Sequence, residues 1–162
     1  MEETQFEKLE PLQTTAHGLA RQVSGEQVQF GPGLAGSVTA NGNLDMTTSG
    51  VVIARAGKSM TITESIAPVC VAGGEMTVSD SFNRVMVIGG NARISESISL
   101  VAVPGGNLEA HNSFIGVSFA KQADYHEGSR VLLTSRQALI LGAALGAVYA
   151  VMRWLLGRGN RR

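Results

Sequence analysis

Apolar positions along the chain recur every 16 residues, and positions related by this period form what we call a column. Two apolar columns stand two residues apart: Leu44, Met60, Met76, Ala92 and Leu108, and Met46, Ile62, Val78, Ile94 and Ala110. Two valine-rich columns follow: Ile53, Val69, Val85, Val101 and Val117, and Arg55, Val71, Val87, Val103 and Phe119. A spacing of two between β-branched positions is strand alternation. The pattern therefore predicts short β-strands in each unit and argues against helical repeats.

Small residues mark the bends of each unit. A serine column precedes the valine-rich segments: Ser49, Ser65, Ser81, Ser97 and Ser113. Glycine pairs recur between units, as at Gly73-Gly74 and Gly89-Gly90. A unit this short cannot bury its apolar side alone and must stack on its neighbours. We predict an all-β fold, a parallel β-helix (β-solenoid) of about 16-residue coils spaced ~4.8 Å apart.

The repeat predicts a solenoid over residues 25–135, preceded by a flexible N-terminal arm over 1–24. Its trailing unit keeps Ser129 in the serine column and Leu133 in the valine column. Counting in steps of 16, Asp124 and His126 replace the apolar pair there. Such degraded outer units are typical of capping coils.

The C-terminal part is apolar and basic. Residues 138–157 contain one charge, and 20 residues in a helix span about 30 Å of hydrocarbon. We predict a C-terminal transmembrane α-helix over 136–157 and a basic tail over 158–162, with Arg153, Trp154 and Arg158 at the membrane interface. The alternative is a buried helix or a cap on the solenoid.

A stripe of small residues repeats every fourth position of that segment: Ala138, Gly142, Gly146 and Ala150. Small stripes let two membrane helices approach closely, so these residues are candidates for a helix–helix contact. The alternative is that glycine and alanine are simply common in membrane helices.

The first 24 residues have no apolar core and therefore no cleavable secretory signal. We expect a single-pass tail anchor with the solenoid on the cytoplasmic side. The arginines beyond the apolar segment favour the opposite orientation by the positive-inside rule.

Candidate chemistry is sparse. The histidines, His17, His111 and His126, lie in separate parts of the chain, and no pair has metal-ligand spacing. Cys70 is the one cysteine and stands between Val69 and Val71, hence on the opposite side of its strand. Motifs for a nucleophile, a phosphate loop or a zinc protease are missing from the sequence. We expect a non-enzymatic protein without cofactor, metal centre or nucleic-acid partner.

One polar column carries carboxylates: Thr48, Glu64, Asp80, Glu96 and Asn112. Stacked in register, Glu64, Asp80 and Glu96 would lie about 4.8 Å apart. They are candidates for binding a divalent cation or a basic partner, and the alternative is a solvated edge that prevents sideways sheet association.

Glycine turns and valine-rich columns in a short array tied to a membrane resemble the bactofilins over about residues 25–135. The resemblance implies a β-helical protein that polymerises end to end and scaffolds other proteins at a membrane. The anchor of this chain is predicted at the C-terminus, whereas bactofilins usually carry membrane-binding residues at the N-terminus. We expect a membrane-anchored structural scaffold that contacts the lipid bilayer and associates with itself or with a membrane protein. The alternative is a small accessory subunit or adaptor of a larger membrane complex.

Overall fold

A computed structural model of the chain describes residues 13–134 and five separate positions, 137, 139, 140, 143 and 149. Residues 13–134 form fourteen β-strands and no helix. The strands are β1 (Gln13–Gly25), β2 (Gln27–Ala40), β3 (Leu44–Thr47), β4 (Ser49–Ala56), β5 (Met60–Thr63), β6 (Val69–Ala72), β7 (Met76–Ser79), β8 (Phe82–Ile88), β9 (Ala92–Ser95), β10 (Ile98–Pro104), β11 (Asn107–His111), β12 (Phe114–Ser118), β13 (Gln122–Tyr125) and β14 (Arg130–Leu133).

The strands wind into a parallel β-solenoid. Odd-numbered strands from β3 to β13 stack on one another, even-numbered strands from β4 to β14 do the same, and β2 joins both stacks. Residues 16 apart are hydrogen-bonded neighbours, as in Met60–Met76 and Val69–Val85. The predicted fold and coil length are therefore confirmed.

Each coil has three straight sides. Burial alternates along β4 until Val52 and Ile53, two successive residues that are both exposed. The pairing of β2 with β4 likewise passes from Ala35–Val51 directly to Ser37–Ile53. Because alternation reverses only where a strand bends, the Val52 column is a corner. We call the columns of residues 44–47 the first side, those of 49–51 the second side and those of 53–56 the third side.

The core consists of the inward columns of all three sides. Leu44 and Met46 are buried, as are their equivalents through Leu108 and Ala110. On the third side the buried columns are those of Ala54 and Ala56, so Cys70, Met86 and Ile88 fill the interior. The valine-rich columns therefore point outward. Alternation groups these residues correctly, but apolar character on both faces of the strand conceals which face is inside.

The serine column is a continuous hydrogen-bonded stack inside the corner. The backbone N–H of Ser49, Ser65, Ser81 and Ser97 each donates to the Oγ of the serine one coil later, at 3.1–3.3 Å. Each Oγ from Ser65 onward donates to the carbonyl two residues before it, at 2.6–2.7 Å. Every one of these serines is buried. The hydroxyl thus satisfies a buried donor and a buried acceptor that the bend takes out of the sheet ladder.

The solenoid begins earlier than the sequence predicts. Residues 13–24, assigned to the flexible arm, lie in β1, which pairs in parallel with β2. The offset in this pair is 14 residues at Gln13–Gln27 and 15 at Gly18–Gly33, with an irregularity between Ala16 and Gly18. This departure from 16 hides the coil from a search by period. Residues 1–12 lie outside the described part.

The last coil also departs from the period. Leu108 pairs with Ala123 and Ala110 with Tyr125, an offset of 15, while Phe114 pairs with Arg130, an offset of 16. The assignment of Asp124 and His126 to the apolar pair is therefore wrong. Ala123 and Tyr125 occupy those columns, because this coil loses one residue before β13.

The candidates in the C-terminal segment fall outside the description. Ala138, Gly142, Gly146 and Ala150, and likewise Arg153, Trp154 and Arg158, lie outside the described residues. Within the part that is described, no helix has both the length and the apolar character needed to span a bilayer.

Removing one hydroxyl from the serine stack tests its contribution to stability. In Ser81→Ala the buried N–H of Ser65 loses its acceptor, so we expect the free energy of unfolding to fall by about 1–3 kcal/mol. Ser79→Ala, two residues away on the first side, is the control and should change it by less than about 0.5 kcal/mol. Chemical denaturation measures both; equal losses would contradict the role of the stack.

Candidate interaction surface

The outer surface of the third side is an apolar strip. Its two outward columns are the valine-rich columns, and Ile53, Val69, Val85, Val87 and Phe119 are 38–47% exposed. The remaining valines of the strip are half-buried among their neighbours. We call the outward columns that begin at Ile53 and Arg55 the valine strip. A contiguous exposed apolar area of this kind marks an interaction site.

Cations border the valine strip. Arg55 lies within it, Arg84 stands in the Val52 corner column, and Lys58 lies at the glycine corner next to Gly57. Arg21 occupies the same corner column as Val52, because its neighbours Ala20 and Gln22 pair with Ala35 and Ser37. Among the described residues, the third side and its Val52 corner contain no carboxylate. The strip therefore combines apolar and positively charged character.

Carboxylates lie at the corner opposite the third side. Thr48, Glu64, Asp80, Glu96 and Asn112 form this corner, and all five have positive φ, between 44° and 50°. Gly128 continues the column with φ 82°. Left-handed backbone is uncommon outside glycine and is tolerated best by short polar residues such as asparagine and aspartate. The backbone bend thus accounts for the polar character of the column, and the cation-binding hypothesis for Glu64, Asp80 and Glu96 stays a prediction.

Thr48 is the least suitable residue of that column, because its β-branched side chain crowds a left-handed backbone. Thr48→Asn should raise the free energy of unfolding by about 1 kcal/mol, since asparagine adopts this conformation readily. The adjacent change Thr47→Asn, within strand β3, is the control and should not stabilise. Thermal unfolding decides, and a lower melting temperature for Thr48→Asn would contradict this account of the corner.

A second feature, Glu109 with two histidines, lies on the first side near the last coil. Glu109 Oε2 accepts hydrogen bonds from Arg93 Nε at 3.0 Å and Nη2 at 2.8 Å. Its Oε1 lies 3.0 Å from His111 Nε2 and 3.8 Å from His126 Nε2. The His111 and His126 rings are stacked with centroids 4.1 Å apart and planes 3° from parallel. Sequence reasoning missed this cluster because the two histidines become neighbours only through the 15-residue offset of the last coil.

Three ligand atoms of this cluster, one each from Glu109, His111 and His126, lie within 4.8 Å of one another. A metal ion prefers to lie in the plane of each imidazole that binds it. Parallel stacked rings cannot both meet that requirement, so one ring would have to turn out of the stack. The arrangement as it stands is a hydrogen-bonded and ionic link between coils.

Glu109 predicts an acid-dependent loss of stability. The hydrogen bond from His111, and then those from Arg93, lower the pKa of its carboxyl from 4.5 to about 2. A lowered folded-state pKa stabilises the protein above pH 4.5, and this contribution is lost as the pH falls from 4.5 through about 2. We expect Glu109→Gln to reduce the dependence of melting temperature on pH in that window. Glu75→Gln, whose carboxylate accepts from the neutral Asn91 amide, is the control and should keep the wild-type slope.

Cys70 is a core residue. Burial raises the pKa of its thiol to about 12. The Sγ atom donates to the Ala67 carbonyl at 3.3 Å and contacts Asn83 Oδ1 at 3.4 Å. A thiol that is protonated and enclosed in this way is a poor nucleophile and metal ligand.

Comparison with known protein families, curated proteins and solved structures found no match to this chain. Its fold is therefore established from its own residues as a repeat-built β-solenoid.

Proposed function

We propose that the protein is a membrane-anchored structural scaffold whose solenoid assembles with further copies of itself. The observation that supports this most is the state of the two ends of the stack. Within the described residues, β1 pairs with β2 alone, β13 with β11 alone, and β14 with β12 alone. Each end thus presents a strand edge on which another parallel coil can pair.

The terminal coils suit end-to-end contact in their side chains as well. Ala16 and Ala20 at one end, and Ala123 and Val131 at the other, pack against the core but are only partly buried. A second copy stacked on either end would complete their burial while extending the same backbone ladder. The bactofilin resemblance belongs to this proposal, as does the absence of enzymatic activity.

The membrane anchor in this proposal is the apolar segment 136–157. It follows β14 after a few residues, so an inserted helix would hold the last coil close to the bilayer. Localisation on the cytoplasmic side rests on the sequence alone.

A second candidate function is an accessory subunit or adaptor of a larger membrane complex. The valine strip favours it, because an exposed apolar surface also suits a single protein partner. The oligomeric state of the purified protein separates the two candidates.

Electron microscopy of the full-length protein in detergent tests self-assembly. Filaments should form with a rise per subunit of about 38 Å, since roughly eight coils at ~4.8 Å make up one copy. Val131→Lys should abolish them, because it places an ammonium group where the next copy would bury it. Leu132→Lys changes the exposed neighbour by the same chemistry and should leave filaments intact.

Discrete particles of wild-type protein at every concentration would contradict the scaffold. If a partner co-purifies in fixed ratio with such particles, the adaptor is the better account. Filaments that persist in Val131→Lys would show that assembly does not use this end of the core.

A further inference from the structure

We propose that the solenoid itself lies along the membrane, with the valine strip against an anionic bilayer surface and the carboxylate corner facing the water. The inference rests on the proposed membrane tether and adds an orientation and a lipid class to it. It is argued below from area, backbone pairing, charge and the position of the chain end.

The strip is too small to be explained by a second copy packed face to face. Five coils at ~4.8 Å and four residues at ~3.3 Å give a flat area of about 300 Å². A stable protein interface covers about 800 Å² on each partner. A bilayer surface has no such minimum when a separate anchor already holds the protein there, because the tether supplies a high local concentration.

The backbone of the third side can meet lipid without leaving polar groups unpaired. Its strands lie in the middle of the stack, and β8, for example, pairs with β6 on one side and with β10 on the other. Unpaired N–H and C=O groups are what exclude irregular backbone from the apolar part of a membrane. The outward side chains of the strip, chiefly Val69, Val85, Val87 and Ile53, are those that would enter the headgroup–acyl boundary.

The charges are divided in the way such an orientation needs. Arg55, Arg84 and Lys58 surround the strip, and Lys121 takes the glycine-corner position of Lys58 on the last coil, where its N–H pairs with Gly106. Glu64, Asp80 and Glu96 occupy the opposite corner. Anionic lipids attract nearby lysine and arginine and repel carboxylates, so an anionic surface orients the rod with the strip toward it.

The chain leaves the solenoid beside this strip. Leu133 pairs with Val117 and so lies in a column of the valine strip, and residue 134 is the last of the continuous described range. A membrane-inserted segment starting at 136 therefore begins at the end of the strip. The tether and the strip would contact the same bilayer.

Depth-dependent quenching of a fluorophore tests the orientation in full-length protein. The protein is reconstituted in phosphatidylcholine vesicles with about 30% phosphatidylglycerol and a doxyl-labelled lipid as quencher. Val85→Cys carries the environment-sensitive dye NBD in the strip, and Thr77→Cys carries it on the first side, where Thr77 is exposed. Native Cys70 is buried and does not take up the dye. We expect lipid quenching at position 85, none at position 77, and weaker quenching at 85 on pure phosphatidylcholine.

A pair of charge reversals tests the electrostatic part. Arg84→Glu, at the border of the strip, should lower the ratio of docked to undocked solenoid about tenfold, seen as a loss of quenching at position 85. Arg93→Glu makes the same change of charge on the first side and should leave the quenching at 85 unchanged.

Three results would overturn the inference. If the protein floats with vesicles but position 85 is not quenched, the tether holds and the strip does not contact lipid. A blue-shifted but unquenched dye at position 85 would mean that a protein surface, such as a second copy, covers the strip. A protein that does not float with anionic vesicles would refute both the docking and the membrane anchor, while filament formation would still be judged by electron microscopy.

Discussion

The parallel backbone ladder between successive coils is the interaction on which the rest of the structure depends. Every residue from 44 to 118 stands beside its equivalents 16 positions away, so a side chain in one coil fixes what its column can hold. The ladder has to be kept through three bends per coil, and each bend removes backbone groups from the sheet. Serine hydroxyls satisfy those groups at the bend that follows the left-handed residue. A buried polar stack in an otherwise apolar core is stable here because both its donors and its acceptors are paired.

Repetition of one coil also gives the rod its polarity. Because columns run the whole length of the stack, each of them becomes a line of like chemistry on the surface. One line is apolar and bordered by cations, and the opposite line carries Glu64, Asp80 and Glu96. A surface with such lines can contact an extended partner, and a bilayer or a chain of further copies fits that description better than a small molecule does. The shortened last coil breaks the repetition and brings His111 against His126, a contact between coils that the regular units do not have.

The repeating part of the fold is readable from sequence because its signal is repeated five times. The coil length, the parallel pairing and the serine corner all follow from columns that agree with one another. What the sequence does not reveal falls where the period changes: β1, with offsets of 14 and 15, and β13, with an offset of 15. It also leaves the two faces of β6 and β8 undistinguished, since Cys70 and Met86 are as apolar as Val69 and Val85. Packing around a narrow core selects the face with alanine, cysteine and methionine for the interior. Positive φ at Thr48 and Glu64 could not be foreseen, because no glycine marks that corner.

Register over the full stack is the central claim, and a distance across four coils measures it directly. Spin labels at Ile53 and Val117, attached to cysteines in a Cys70→Ala background, occupy the same column at the first and last regular coils. Pulsed electron paramagnetic resonance should then find a single distance centred near 19 Å between the labelled positions, widened by the label linkers, because four coil spacings of ~4.8 Å separate them. A broad distribution, or a distance well beyond 30 Å, would mean that the coils are not stacked in 16-residue register and would contradict the account.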